Sequence, residues 1–208
     1  MAEEEYRNLI KNLGFKTVSR LTPASCVVYQ VKDMKRYRII KFSAPNDKWT
    51  LRHILKENEA LKRAQGIDGI VQRIEFYDQR KLCQLDSPYG DVVGLLKEYI
   101  PGKTLEQIKD SAIRLPKAFI TGSENQKMLE SAVKELHQRG IAYLDLTPRN
   151  IIISQSKKPY IIDPGTAILK EEVSKIRFLK EKQRDLKCLE WLLKYPRSSI
   201  PYPWYESD

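Results

Sequence analysis

The sequence contains little of what a cysteine- and histidine-based metal site would need. Only three cysteines and two histidines occur in 208 residues. The cysteines, Cys26, Cys83 and Cys188, are far apart, and none belongs to a CxxC arrangement. A zinc site is therefore not expected, because structural zinc takes four such ligands at close spacing. We interpret the three cysteines as buried free thiols.

The sequence also has no long apolar run. No stretch approaches the ~20 apolar residues of a membrane-spanning helix, so no membrane span is expected. The first residues, MetAlaGluGluGluTyr, are acidic where a secretory signal would be basic and then apolar. Together these absences favour an intracellular, cytoplasmic protein.

The composition is that of a globular chain with an excess of positive charge. Hydrophobic residues make up 41% and charged residues 31%, and the formal net charge is +10. A chain of this length can bury a core as one domain or as two small lobes. The charge favours a polyanionic partner: nucleic acid, anionic lipid or nucleotide phosphate, with an RNA- or ribonucleoprotein-associated partner among these. A solvated basic surface explains the charge equally well, because the lysines are spread along the chain.

Apolar spacing divides the chain into a β-rich first half and a helical second half. Strands are predicted at residues 15–21, 26–31, 36–42, 70–77, 81–86 and 91–99. Helices are predicted at 6–13, 48–65, 104–111, 123–140 and within 168–195, with Thr104 and Gln107 capping the third of these. ProGly at 101–102 marks the change of pattern. The expected organisation is α+β, with an N-terminal lobe over 1–100 and a C-terminal lobe over 101–208.

Two aspartates, Asp145 and Asp163, lie beside the apolar runs 151–153 and 160–162. A carboxylate there is costly to desolvate unless a positive group meets it. Three arrangements would make such a carboxylate tolerable: a bound metal ion, a neighbouring lysine or arginine, or exposure to solvent at a strand end. Asp145 and Asn150 form a D-x4-N loop, in which the carboxylate can face a hydroxyl nucleophile and the amide oxygen a hard cation. Asp163 precedes ProGly at a strand end and suits Mg²⁺, which takes oxygen ligands.

The segments 136–153 (LeuHisGlnArgGlyIleAlaTyrLeuAspLeuThrProArgAsnIleIleIle) and 162–165 (IleAspProGly) resemble the catalytic loop and the metal-binding motif of the protein kinase superfamily. This resemblance implies a two-lobed protein-kinase-like fold, with a β-rich N-terminal lobe that has one helix and a reduced helical C-terminal lobe. It implies that Asp145 orients or deprotonates the acceptor hydroxyl. It also implies that Asn150 and Asp163 hold Mg²⁺ or Mn²⁺ on the phosphates of ATP.

The first half resembles a kinase in the strand that carries the phosphate-binding lysine. TyrArgIleIleLysPhe at 37–42 matches that strand, which implies that Lys41 contacts the α- and β-phosphates and is needed for catalysis. In the family this lysine pairs with a glutamate on the following helix. Glu59 fits that part best because it lies in the middle of the predicted helix, and Glu57, one face away, is its rival.

GluTyrIleProGly at 98–102 resembles the hinge between the lobes of a kinase. The resemblance implies that backbone groups of Glu98, Tyr99 and Ile100 hydrogen-bond the adenine ring. The expected ATP-binding set is therefore Lys41, Glu59, Glu98, Tyr99, Ile100, Asn150 and Asp163.

The sequence departs from typical kinases at several motifs. The turn at 21–27 has no glycine where a GxGxxG loop is usual, TyrLeuAsp replaces HisArgAsp, and Pro164 replaces the phenylalanine of DFG. These features resemble the atypical small kinases, namely the RIO kinases and especially the kinase subunit of the KEOPS complex, whose AspLeuThr-x-x-Asn form matches AspLeuThrProArgAsn. The late helix at 181–193 resembles that subunit too, and there Asp185 would brace the catalytic loop from behind.

The expected function is that of an ATP-dependent phosphotransferase, a minimal atypical serine/threonine protein kinase with a protein acceptor. Autophosphorylation or ATP hydrolysis are possible reactions of such a protein. A small-molecule or sugar kinase of the same fold is an alternative. A pseudokinase scaffold that binds nucleotide or RNA-associated partners is another, favoured by the missing glycines and the basic charge.

Overall fold

A computed structural model describes residues 3–21, 26–83, 92–110, 124–142 and 144–194. The helices within these ranges are α1 (Glu3–Asn12), α2 (Lys48–Arg63), α3 (Gln79–Cys83), α4 (Leu105–Asp110), α5 (Glu124–Gln138) and α6 (Lys175–Lys194). The strands are β1 (Lys16–Leu21), β2 (Val27–Lys32), β3 (Tyr37–Phe42), β4 (Arg73–Tyr77), β5 (Gly94–Glu98), β6 (Gly102–Thr104), β7 (Ile141–Ala142), β8 (Ile151–Ser154), β9 (Pro159–Ile161) and β10 (Ile168–Leu169). One-turn 3-10 helices cover Pro148–Asn150 and Lys170–Glu172.

The first half is an antiparallel sheet of five strands in the order β1-β2-β3-β5-β4. Side chains of a strand alternate between the two faces of the sheet. Ile40 and Phe42 therefore face α1, where they pack in one core cluster with Tyr6 and Ile10. Lys41, between them, faces the opposite side, where α2 packs. The strands predicted at 15–21, 26–31 and 36–42 are confirmed as β1, β2 and β3, which pair antiparallel in chain order.

The strand predicted at 81–86 is wrong over the residues that the structure describes, since α3 covers Gln79–Cys83. Asp78 starts this helix, because its carboxylate accepts the backbone N–H of Lys81 at 2.9 Å and its carbonyl accepts that of Leu82 at 3.1 Å. Such a cap satisfies backbone donors that a strand would leave open. With α1, α2 and α3, the described residues of the first half form three helices where the kinase resemblance implied one.

The second half contains short strands between its helices. The sheet β6-β8-β9 and the pair β10-β7 are both antiparallel. The cap predicted for α4 is confirmed: Thr104 Oγ1 accepts the N–H of Gln107 at 3.1 Å, and Gln107 Oε1 accepts that of Thr104 at 2.9 Å. Helix α5 is followed by Gly140, whose φ of 79° favours glycine. Residue 123, where this helix was predicted to begin, lies outside the described residues.

One buried cluster runs from the α2 face of the sheet into the second half. It joins Leu61 of α2 and Leu95 of β5 to Leu136 of α5 and Leu189 of α6. Backbone bonds add to this contact, since Val71 donates to the carbonyl of Ile161 at 3.0 Å. This packing fixes the end of β9 against the first half. The division into domains at residue 100 stays a prediction.

Two further expectations concern cysteines and membrane spans. Cys26 and Cys188 are buried thiols, as predicted, while the side chain of Cys83 lies outside the described residues. Among the helices that the structure describes, none is long and apolar enough to cross a membrane.

Candidate active site

Lys41 and Glu57 form a buried ion pair at the centre of the candidate site. Lys41 projects from β3 towards α2, and its Nζ lies 2.7 Å from Oε2 of Glu57. Lys41 is 4% exposed and Glu57 is fully buried. Burial acts to lower the pKa of Lys41, but the carboxylates of Glu57 and Asp163 outweigh it and raise that pKa above its ordinary value. Lys41 is therefore a fixed positive charge.

The predicted pairing of Lys41 with Glu59 is wrong, and Glu57 is the partner. Ile54 and Leu61, both fully buried, lie three residues before and four residues after Glu57. Residues at this spacing share one face of a helix, so Glu57 points into the core. Glu59 lies two residues further on, on another face, and pairs with Arg63 at 2.9 Å.

Asp163 lies next to Lys41, at the end of the segment that leaves β9. Its two carboxylate oxygens are 3.3 and 3.1 Å from Nζ of Lys41. Oδ1 also accepts the N–H of Gly165 at 3.2 Å. Burial alone would raise the pKa of Asp163, but the positive charge of Lys41, with help from His53 and Lys97, holds it well below its ordinary value. The carboxylate is therefore ionised at neutral pH, and it forms an ion pair with Lys41.

Asp145 and Asn150 are joined within one short loop. The side-chain nitrogen of Asn150 donates to Oδ2 of Asp145 at 3.0 Å and to its backbone carbonyl at 2.9 Å. Arg149 approaches the same Oδ2 at 3.4 Å. Asp145 has a φ of 44°, in the left-handed region that aspartate and asparagine tolerate better than most residues. The loop therefore orients a carboxylate that is still 25% exposed.

The loop is attached on both sides. Asp185 of α6 is buried, and its Oδ1 accepts the backbone N–H of Leu144 at 2.9 Å, which confirms that it braces the loop from behind. Its Oδ2 lies 2.8 Å from Nε2 of His137. On the other side, the carbonyl of Asn150 accepts the N–H of Ile162 at 3.0 Å. This last bond links the Asp145 loop to the residue before Asp163.

The predicted adenine-binding residues lie at the end of β5. Glu98 is half-buried, and its N–H donates to the carbonyl of Gln72 at 3.0 Å. Burial raises the pKa of Glu98 above its ordinary value, against the N–H of Gln72 and the charge of Arg38. Tyr99 packs its ring near that of Tyr37, with 5.9 Å between centroids, and Ile100 is buried. The N–H of Glu98 is therefore already engaged within the sheet and is not available to adenine, while the contacts of Tyr99 and Ile100 are made by their side chains.

Two residues of the site, Lys97 and His53, were not expected from the sequence. Lys97 of β5 is buried and contacts Glu57. A lysine directly after the apolar run ValValGlyLeuLeu (92–96) was the available signal. His53 of α2 stacks on Trp49, and its Nε2 is 3.5 Å from Oδ1 of Asp163. It lies four residues before Glu57, on the same helix face, and a Cβ at Gly165 would collide with its ring.

The donor atoms fit a hard divalent cation and phosphate. Because the amide nitrogen of Asn150 is engaged by Asp145, its oxygen is the atom that can face a cation. The carboxylate of Asp163 is 32% exposed and ionised, as a Mg²⁺ ligand must be. His53, Glu57 and Asp163 also bring one possible ligand atom each within 4.8 Å of one another. Of these three residues, Glu57 is the poorest candidate for a metal ligand, because its two oxygens already contact two lysines.

Comparison with known proteins identifies the class that this geometry belongs to. The family described as protein kinase domain matches residues 22–183. The human serine/threonine-protein kinase ULK3 is 31% identical over 155 residues, which are 74% of this chain and 29% of that protein. The serine/threonine-protein kinase PKH1 of Saccharomyces cerevisiae is 30% identical over 128 residues, which are 60% of this chain and 15% of that protein. The chain belongs to the protein kinase family.

The matched relatives are much longer than the matched region. The chain spans less than a third of the length of the curated relatives named above. What it shares with them is the kinase domain, whose order of strands, helices and motif residues agrees with the α+β architecture described above.

Proposed function

We propose that this chain is an ATP-dependent serine/threonine protein kinase in which Lys41 and Asp163 bind the nucleotide and its metal and Asp145 orients the acceptor hydroxyl. The observation that carries the proposal is the contact of one buried lysine with two carboxylates from separate elements. Lys41 lies 2.7 Å from Glu57 and 3.1 Å from Asp163. Membership of the protein kinase family and the serine/threonine kinase relatives support the same conclusion.

The residues divide the chemistry among them. A divalent cation, held by Asn150 and Asp163, would neutralise charge that develops on the transferred phosphoryl group. Lys41 supplies a second, permanent positive charge for the α- and β-phosphates. Asp145 is exposed enough to accept a hydrogen bond from a substrate hydroxyl and can take its proton. The backbone of Glu98, Tyr99 and Ile100 would hold the adenine ring.

We also place the chain nearest the small atypical kinases, the RIO and KEOPS-type group, within the family. The support is the AspLeuThrProArgAsn loop and the contact of Asp185 with the backbone of Leu144. A protein acceptor, cytoplasmic location and the use of either Mg²⁺ or Mn²⁺ belong to this proposal. The family relationship gives no support to the RNA-associated partner that the charge suggested.

A nucleotide-binding scaffold without phosphoryl transfer is the second candidate. The observation in its favour is the glycine-free sequence LeuThrProAlaSerCysVal at 21–27, because glycines usually let backbone amides approach the phosphates. Residues 22–25 of that turn lie outside the described residues.

One assay separates the two functions. The protein is incubated with γ-labelled ATP and Mg²⁺ or Mn²⁺, and label is measured on the protein itself and on a generic basic protein substrate. A kinase transfers label, and its Asp145→Asn variant does not. ATP binding without transfer or hydrolysis, measured on the same preparation by equilibrium dialysis, would overturn the kinase in favour of the scaffold.

A further inference from the structure

Lys97 is a second buried lysine in the site, and the chemistry proposed above does not use it. It lies on β5 and is 6% exposed. Its Nζ donates to Oε1 of Glu57 at 2.5 Å and to the backbone carbonyl of Ile162 at 2.8 Å. The other oxygen of Glu57 accepts from Lys41. One buried carboxylate therefore holds two ammonium groups, one on each oxygen.

The charges of this cluster cancel within the protein. Lys41 and Lys97 contribute two positive charges, and Glu57 and Asp163 contribute two negative ones. Buried ions are stable only when they are paired and hydrogen-bonded. Without Lys97, two carboxylates would share one lysine, and the cluster would carry an excess negative charge. That excess would have to be relieved by movement of α2, by protonation or by a bound cation.

Lys97 also connects the two segments on which the nucleotide site depends. Glu57 belongs to α2, whose position decides whether Glu57 reaches Lys41. Ile162 directly precedes Asp163, so its carbonyl fixes the start of the segment that carries the metal ligand. Because β5 is an interior strand of the sheet, paired with both β3 and β4, it is a rigid base for both contacts.

We propose that Lys97 is a positioning residue that holds α2 in its nucleotide-binding position before nucleotide arrives. The proposal rests on the function proposed above, because it concerns the same Lys41 and Glu57. It implies that ATP binds without a movement of α2, since Lys97 already anchors Glu57 and the carbonyl of Ile162.

Exposed ion pairs are the competing explanation for the position of α2. Lys56 lies 3.0 Å from Glu172, and Arg63 binds Glu171. Pairs of this kind are screened by solvent and contribute little individually. If they alone held α2, replacement of Lys97 would leave the helix in place.

Hydrogen exchange tests the proposal with three variants of the full chain. Lys97→Met keeps most of the length of the side chain but removes its charge and both of its hydrogen bonds. Lys97→Arg keeps the charge, and Lys103→Met is the control at an exposed lysine of β6. Amide exchange of α2 is measured with and without ATP and Mg²⁺. In the wild type and the control, we expect the same slow exchange in both conditions. In Lys97→Met, we expect faster exchange that nucleotide slows again, and in Lys97→Arg a return towards the wild type.

Kinetics supply a readout that a purely structural residue would not change. If only about a tenth of the Lys97→Met molecules hold α2 in position, the apparent affinity for ATP falls about tenfold. At saturating ATP the position is restored, so kcat should stay within about twofold while KM for ATP rises. Equal α2 exchange and an equal KM in Lys97→Met and wild type would overturn the proposal.

Two further outcomes are distinguishable. If Lys97→Met does not fold, Lys97→Gln replaces it, because glutamine removes the charge but keeps a polar N–H donor at the end of a side chain only one bond shorter. Failure of both to fold would show that Lys97 supports the fold as a whole, which also overturns the proposal. If the wild type binds no ATP, the proposed function fails, but the comparison of α2 exchange between nucleotide-free wild type and Lys97→Met still decides the role of Lys97.

Discussion

The side-chain amide of Asn150 donates to the carboxylate of Asp145 at 3.0 Å, and the same amide bonds the backbone carbonyl of Asp145 at 2.9 Å. The two bonds and the positive φ of Asp145 fix the direction of the carboxylate. Alanine at this position would add backbone strain, because a left-handed φ costs an ordinary residue roughly 1–2 kcal/mol. Asparagine tolerates that φ, and its oxygen can still accept from Asn150. It is therefore the substitution that removes the base and little else.

We predict that Asp145→Asn leaves ATP affinity largely unchanged and lowers the rate of phosphoryl transfer by about 10²–10⁴, the usual effect of losing a positioned base. ATP affinity is measured by titration calorimetry and transfer with labelled ATP. Asp68→Asn, at an exposed aspartate before β4, is the matched control and should lose neither. Undiminished transfer in Asp145→Asn would contradict the assignment of Asp145.

Glu57 and Glu59 allow a second prediction within one helix. Glu57→Gln leaves two buried lysines without their shared carboxylate, and breaking a buried pair by removing one partner typically costs 3–5 kcal/mol, so we expect a destabilisation of about 3 kcal/mol. We also expect Glu57→Gln to lower the rate of phosphoryl transfer from ATP. Glu59→Gln removes only the contact with Arg63 on the helix surface, which is worth about 0.5 kcal/mol or less. Urea unfolding measures the unfolding free energy of both variants. Equal losses of unfolding free energy would show that the buried Lys41–Glu57 pair stabilises the protein no more than the surface pair does.

The sequence predicted the five strands of the first-half sheet and most helices because their alternation and helical spacing are local properties. It did not predict α3, because a helix of five residues is too short to show helical spacing and its cap from Asp78 is a specific contact. It selected Glu59 by its place along the helix, although the spacing from Ile54 and Leu61 pointed to Glu57. Lys97 was missed because its contacts depend on how α2 and the segment before Asp163 pack on β5, which no local pattern records.

Binding of MgATP should stabilise the protein. At a ligand concentration of ~100 times the dissociation constant, linkage gives about 2.7 kcal/mol. For a domain of this size, that corresponds to roughly 5–10 °C in melting temperature. We expect the Asp163→Ala variant to lose most of the shift that depends on the metal, because a proposed metal ligand is gone. Thermal scans with ATP, with metal and with both measure this, and a wild type that shows no shift would leave no support for nucleotide binding.

The lowered pKa of Asp163 also leads to a prediction of how the stability of the protein depends on pH. Its folded pKa lies well below the ordinary value of 3.8, since the charge of Lys41 outweighs the effect of burial. The unfolded chain therefore takes up a proton at this position at a pH where the folded chain does not. The stabilisation is fully present above about pH 5 and is lost as the pH falls below 4 towards the folded pKa.

We accordingly expect the difference in unfolding free energy between wild type and Asp163→Asn to be largest near neutral pH and to shrink steadily below about pH 4. Both proteins are unfolded with urea in the presence of EDTA, so that bound metal does not contribute. The Asp68→Asn control should follow the wild type throughout. A constant difference between wild type and Asp163→Asn from pH 7 to pH 3 would show that the variant acts through packing alone. In that case the contact with Lys41 would not hold the carboxylate in its ionised form.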